Sequence, residues 1–138
     1  MQSPTAVALT GFIAWSLFLL IVMELVRTAL VISGKVASNQ FRPDNANLSP
    51  FMQRLTRAHA NCVEGLPMFG GLMLVALATG RTSVTDSLAY VLLAARLIQS
   101  SMHLASLSVT AVNLRFFTFA VQMGIGAYWA VELLASFI

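Results

Sequence analysis

Leu55-Thr56-Arg57-Ala58-His59-Ala60-Asn61-Cys62-Val63-Glu64-Gly65-Leu66-Pro67-Met68-Phe69 runs from a polar, charged segment into the apolar block Gly70-Gly71-Leu72-Met73-Leu74-Val75-Ala76-Leu77-Ala78. Taken as a helix, Arg54, Arg57, Asn61 and Glu64 fall at i, i+3, i+7 and i+10, a single stripe. A helix that carries such a stripe into a membrane must hide it against other helices or in a watery cavity. The rest of the chain supplies the cover.

Composition sets the surroundings of that helix. The 138 residues are 58% hydrophobic and only 9% charged, with a mean hydropathy of +0.81. A soluble domain is usually about a quarter charged, so this is an integral membrane protein. A spanning helix takes roughly 20 residues, and the chain offers four such blocks with short connections and no room for a separate soluble domain. The net charge of +3 comes without Lys/Arg runs or aromatic-basic interleaving, which excludes nucleic acid as a partner. A single Cys62 excludes an internal disulfide and any CxxC motif, and reads as a small packing residue. Met1-Gln2-Ser3-Pro4 has no basic segment, so the first apolar block is expected to be a retained span rather than a cleaved signal.

The expected spans cover about residues 5–36, 50–79, 84–107 and 114–137 of one four-helix transmembrane domain, 1–138. In the first, Glu24 and Arg27 are spaced i, i+3. They either neutralise one another locally or face the polar cavity with Thr28, Val31 and Lys35. A polar loop over 37–48 turns at Pro43-Asp44, and Ser49-Pro50 gives the second helix an N-cap and a first-turn proline. Pro67 should kink that helix or remove a backbone hydrogen bond, which a membrane helix tolerates. Gly80-Arg81-Thr82-Ser83 is a tight turn, with Arg81 offset by Asp86. The third helix carries its own stripe of Arg96, Gln99, Ser100 and His103. Residues 106–113 read as a connection. The fourth helix carries Arg115, Thr118 and Gln122 on one face, and Tyr128 and Trp129 suit the far interface, with packing an equal alternative for Trp129.

Lys35, Arg42, Arg54 and Arg57 flank the first connection. The positive-inside rule therefore puts it in the cytoplasm and both termini outside. At 1.5 Å per residue Glu64 then lies about 15–20 Å deep. Arg96 lies at a similar depth, His103 nearer the surface, and Arg115 at the cytoplasmic end of its helix. Ionisable residues converging at one membrane level mark a functional site, with Glu64 expected to pair with Arg96 or Arg57. The arginines can hold carboxylates in bidentate fashion, Glu64 can accept from an ammonium group, and Asn61 can orient a peptide-like amide. Such a set fits a peptide-sized, zwitterionic ligand with several carboxylates, and the arginines can also stabilise a thiolate. The competing reading is that these charges pair only with one another and specify helix packing. His59 and His103 have no second ligand at metal spacing, so no metal site is expected.

Arg57-Ala58-His59-Ala60-Asn61-Cys62-Val63-Glu64, with Pro67 and Phe69, resembles the second-helix signature of the MAPEG superfamily (membrane-associated proteins in eicosanoid and glutathione metabolism). Ala95-Arg96 with Gln99 and His103 is similar to its third-helix stripe, and Arg115 to the arginine that opens its fourth helix. The resemblance implies an all-α, up-down, left-handed four-helix bundle assembled as a homotrimer in the bacterial inner membrane or the endoplasmic reticulum. It implies glutathione as cosubstrate between subunits on the cytoplasmic side, and a lipophilic substrate arriving from the bilayer. Asn61 and Glu64 would contact glutathione, Arg57 would support the site, and Arg96, His103 and Lys35 would line it. Arg115 would stabilise the attacking thiolate. The implied activity is that of a glutathione transferase or peroxidase, with a non-catalytic lipid-binding member as the alternative. A small exporter driven by Glu24 is a third class. The chain departs from the glutathione-using pattern at Ala60, where a basic residue is common, and at His103 and Phe119, near common tyrosines. Phe116 replaces a serine of the prostaglandin-synthase-like members, and the connection between helices 3 and 4 looks longer. These departures describe a divergent, bacterial-type member.

Overall fold

Three of the four helices begin in the same way, with a serine side chain accepting from a backbone amide in the first turn. Ser3 accepts from Ala6, Ser49 from Met52 and Ser108 from Ala111, at 3.2, 3.3 and 3.2 Å. Pro4 and Pro50 follow the first two caps, where a missing N–H costs nothing. The computed structural model describes residues 2–138. Its helices are α1 (Pro4–Ile32), α2 (Pro50–Ala78), α3 (Thr82–Ala105) and α4 (Val109–Phe137), each long and apolar enough to cross a membrane. Large apolar side chains such as Phe18, Leu25, Phe116, Phe117 and Leu134 stay exposed on the outside, as expected of a surface that meets lipid tails rather than water.

The centre of the bundle is α3, which packs against α1, α2 and α4; among the described residues α1 and α4 do not meet. Phe12, Leu19, Leu55, Met73, Leu92 and Trp129 fill the core. Trp129 is therefore a packing residue, whereas Tyr128 is half exposed. Close approach needs small residues: a Cβ on Gly126 of α4 would lie 2.9 Å from the Phe69 ring of α2.

Several helix limits differ from the sequence expectation. The first helix stops at Ile32, not near 36, because Gly34 takes φ +76°. The amides of Gly34 and Lys35 then return to the carbonyls of Val31 and Leu30, each at 3.0 Å, a glycine-based stop. Lys35 consequently sits exposed on a turn. The fourth helix starts at Val109 rather than near 114, because Ser108 caps it. Only Ser106, Leu107 and Ser108 join it to α3, so the connection is short, not long.

Pro67 is absorbed by a π turn over Leu66–Gly70, after which the Gly71 amide faces the Leu66 carbonyl. The wider turn admits the residue without an N–H and resets the facing of the helix beyond it.

Both ends of the bundle are tied. At one end Asn45, buried and at φ +54°, accepts from Arg27 Nη2 at 2.5 Å and donates to the Met52 carbonyl at 2.8 Å. Thr56 donates to the Pro43 carbonyl. The α1–α2 connection is thus fastened down by α1 and α2 together. At the other end Thr5 donates to Asp86 at 2.6 Å. Arg81 lies 4.2 Å from the Phe137 ring centroid and donates to the Ser136 carbonyl. Asp86 and Arg81 therefore serve different partners, and do not offset each other as a pair.

Candidate functional site

Arg96 is the largest fully buried polar side chain of the protein. It can lie there because Gly65 removes a side chain from its path: a Cβ at Gly65 would stand 2.7 Å from Arg96 Nη2. Asn61, one turn before Gly65, faces α3 in the same way. Arg96 Nη1 donates to Asn61 Oδ1 at 2.5 Å, and Gln99 Nε2 donates to the same oxygen at 3.1 Å. The guanidinium also lies 5.2 Å from the Phe12 ring centroid, a cation–π distance. Its Nε and Nη2 are buried with no hydrogen-bond partner.

The network continues into α4. Gln122 Nε2 donates to Gln99 Oε1 at 2.7 Å and to the Thr118 carbonyl at 3.1 Å. Below it Cys62 Sγ and Ser100 Oγ are 3.2 Å apart, both buried. The cysteine is thus a packing residue with a weak polar contact.

Nearer the α3–α4 connection, Arg115 Nη1 is 2.7 Å from His103 Nδ1. A guanidinium can only donate, so Nδ1 is the accepting nitrogen and the imidazole carries its proton on Nε2. Arg57, Arg96 and Arg115 all lie within electrostatic reach of His103. Arg57 is exposed on the outer face of α2. Arg54 is engaged elsewhere, its Nε donating to the Leu104 carbonyl at 3.0 Å near the end of α3.

No carboxylate answers these three arginines. Among the described residues the one ion pair is Glu24–Arg27, at 3.3 Å. The expected pairing of Glu64 with Arg96 or Arg57 is therefore not made. Asn61 and Gly65 take the face of α2 turned to α3, which leaves Glu64 and Arg57 exposed on the outward side. Glu24 and Arg27 form the local pair and hold the α1–α2 loop instead of joining the cluster. Arg57, Asn61, Arg96, His103 and Arg115 are thus gathered across α2, α3 and α4, with Glu64 beside them. Lys35 has no hydrogen bond to any of them. Gly65, Gln99 and Gln122 had no site role from sequence. The signal that could have found them is position: Gly65 one turn after Asn61, Gln99 one turn after Arg96.

Beyond the cluster lies an apolar groove of about 710 Å³ between α2 and α4, bordered by Pro67, Phe69, Leu72, Phe119, Met123 and Gly126. It begins one turn past Glu64 on α2 and one turn past Arg115 on α4. The apolar groove therefore starts one turn beyond the polar cluster on both helices.

The family model described as MAPEG family matches residues 5–135, nearly the whole chain. No curated protein and no solved structure matches it.

Proposed function

The chain belongs to the MAPEG family, and from that premise we propose that it is a membrane-bound glutathione S-transferase or peroxidase acting on lipophilic electrophiles. The observation that carries this reading is the set Arg57, Arg96 and Arg115 without a carboxylate in ion-pair contact. A buried or membrane-level cation without a partner is costly, and an anionic ligand removes the cost. Glutathione brings two carboxylates, an ammonium group and a thiol. Arg57 and Arg115, the two arginines of the set that keep exposed surface, match its anionic groups, and exposed Glu64 matches the ammonium.

Arg57 and Glu64 face outward from a spanning helix, which supports a homotrimer whose neighbouring subunit covers them. The site would lie on the cytoplasmic side with both termini opposite, in the bacterial inner membrane or the endoplasmic reticulum. Arg115 would stabilise the thiolate. Its Nη1 is fixed by His103, while its Nη2 has no partner among the described residues and is not one of the sealed atoms. A positive group aimed at sulfur favours the thiolate over a thiol of ordinary pKa ~8.5. The thiol proton passes to water. Sulfur then bonds to the electrophilic carbon as that carbon loses its leaving group, which departs with the bonding electrons. With a hydroperoxide, two glutathiones become one disulfide as the peroxide is reduced to an alcohol and water. The apolar groove supports entry of the second substrate from the bilayer, and holding both substrates together supplies proximity.

The same groove favours a second reading, a lipid-binding member without thiol chemistry. An exporter driven by Glu24 has less support, since that carboxylate is paired with Arg27 at the loop. Conjugation of 1-chloro-2,4-dinitrobenzene by the purified protein in nanodiscs separates these readings. The transferase reading expects turnover that saturates with glutathione and is strongly reduced in Glu64→Ala. Retained lipid with no glutathione binding would rule it out in favour of the lipid-binding reading.

A further inference from the structure

We infer that the cavity between the end of α1 and the α1–α2 connection binds the headgroup of a phosphatidylethanolamine-type lipid, with the lipid ammonium on Glu24. The site stands apart from the arginine cluster, and the inference does not depend on the glutathione reading above.

From Thr5 to Glu24 α1 rises about 28 Å at 1.5 Å per residue, close to the ~30 Å of a bilayer's hydrocarbon core. Polar structure marks both limits. At one end Thr5 donates to Asp86 at 2.6 Å. At the other the α1–α2 connection folds back along α1. Asn45 Nδ2 reaches Met23 Sδ at 3.6 Å, and the Arg42 carbonyl accepts from Arg27 Nη2 at 3.2 Å. Exposed Asp44 and Asn47 belong to the same segment and need water, so the membrane boundary runs near Glu24. Beyond it the last two turns of α1 stand at the level of lipid headgroups. Before it the exposed side chains of α1 include Phe18, Ile21 and Leu25, a surface for acyl chains.

A cavity of about 420 Å³ opens at this level. Glu24, Arg27, Thr28 and Val31 share one face of α1 and line one side of it, and Ser38 and Phe41 of the connection border the other. Arg27 is already engaged. Its Nη2 is held by Asn45 and the Arg42 carbonyl, its Nε is sealed, and its Nη1 lies 3.3 Å from Glu24 Oε1. Glu24 is the open group: its side chain is 55% exposed, and its Oε2 has no partner among the described residues. A carboxylate at headgroup level, next to a lipid-facing surface, selects a cation carried by an amphiphile.

That cation must be an N–H donor. Arg27 occupies the Phe41 ring face, its guanidinium carbon 5.4 Å from the centroid, and no second aromatic ring borders the cavity. A trimethylammonium group therefore finds no aromatic cage, whereas a primary ammonium can donate to Oε2. The phosphate of the same headgroup finds donors at the rim. The Ser38 hydroxyl lines the cavity. Arg42 follows Phe41, is exposed, and has no side-chain hydrogen bond among the described residues. A phosphoglycerol headgroup brings the phosphate without the cation and meets Glu24 with like charge.

The test is native mass spectrometry of the purified protein offered equimolar phosphatidylethanolamine, phosphatidylcholine and phosphatidylglycerol with identical acyl chains. The wild type should retain the ethanolamine lipid about fivefold over either competitor, the worth of one exposed ion pair. Glu24→Gln keeps an acceptor for Arg27 and should retain all three within about twofold. A second series needs no variant: N-methyl and N,N-dimethyl ethanolamine lipids should be retained progressively less by the wild type as N–H groups are lost. Excess soluble phosphoethanolamine should leave the bound lipid in place, because the acyl chains hold it at the boundary. Equal retention of ethanolamine and choline lipids by the wild type overturns the inference, as does an unchanged preference in Glu24→Gln. Preference for phosphatidylglycerol would assign the site to basic residues alone, and displacement by soluble phosphoethanolamine would assign it to a soluble ligand; either also overturns it.

Discussion

Two arginine clusters stand in this bundle, and they are built on opposite principles. Arg27 gives Nη1 to Glu24 and Nη2 to Asn45 and the Arg42 carbonyl, with the Phe41 ring 5.4 Å from its guanidinium carbon. Its charge is answered and its geometry is fixed by a loop. Arg57, Arg96 and Arg115 share one histidine neighbour, no paired carboxylate and several unused N–H groups. The residue type is the same, so the difference lies in what surrounds it. The first arrangement closes a connection; the second is the proposed anion site. In a membrane, where an unanswered cation is costly, only the second needs a ligand to explain it.

That contrast can be broken by mutation, and the largest effect belongs to Arg115. Its Nη2 is the free donor nearest the proposed thiolate, so Arg115→Ala should lower the conjugation rate about 10²-fold, as loss of one oxyanion donor does elsewhere. Stopped-flow turnover with saturating glutathione measures it. A rate within about threefold of wild type would remove Arg115 from the chemistry.

Arg96→Met sharpens the comparison. Removing an unpaired buried cation should leave the empty bundle as stable as before or more so, as with buried ions replaced by apolar side chains. Glutathione affinity should fall about tenfold, because the Asn61 oxygen loses its charged donor. Arg27→Met should do the reverse. It strands Asn45 and the loop, costs about 2 kcal/mol of stability, and leaves glutathione affinity alone. Thermal melts and titration of the two variants side by side give the answer. Equal behaviour of both would erase the distinction between the clusters.

The smallest expected effect is at Gly65. A methyl there meets the far end of a flexible side chain at 2.7 Å, which can give way. Gly65→Ala should cost roughly 1–3 kcal/mol and weaken glutathione binding a few-fold by shifting Arg96. A larger volume, Gly65→Val, should deepen both losses. Tight binding retained in Gly65→Val would mean that Arg96 needs no seat on α2.

The sequence carried much of this bundle, for physical reasons that can be named. Four spans follow from length and hydropathy, and the Arg57, Asn61, Glu64 stripe follows from helical spacing. The start of α2 was legible because Ser49-Pro50 at a helix entry has one simple use. Other features depend on contacts that periodicity does not contain. Residues 106–113 looked like a polar connection, yet Ser108 caps a helix that runs through Thr110 and Asn113. Gly34 ends α1 early because its backbone enters the left-handed region, and Lys35 leaves the helix with it. Spacing placed Glu64 on the stripe but could not give the rotation of α2 against α3. That rotation, set by Asn61 and Gly65, turned the expected Glu64–Arg96 pair into an Asn61–Arg96 hydrogen bond. The glutamine relay was visible only as two polar stripes until the helices that carry them were brought together.

The central claim is that the carboxylate-free arginine cluster is a glutathione site. Its most direct test is calorimetric titration of glutathione into the purified protein in nanodiscs, for the wild type, Arg115→Ala and Arg27→Met. The expected result is saturable binding in the wild type, preserved in Arg27→Met and weakened about tenfold or more in Arg115→Ala. No binding heat in the wild type, or the same affinity in all three proteins, would contradict it.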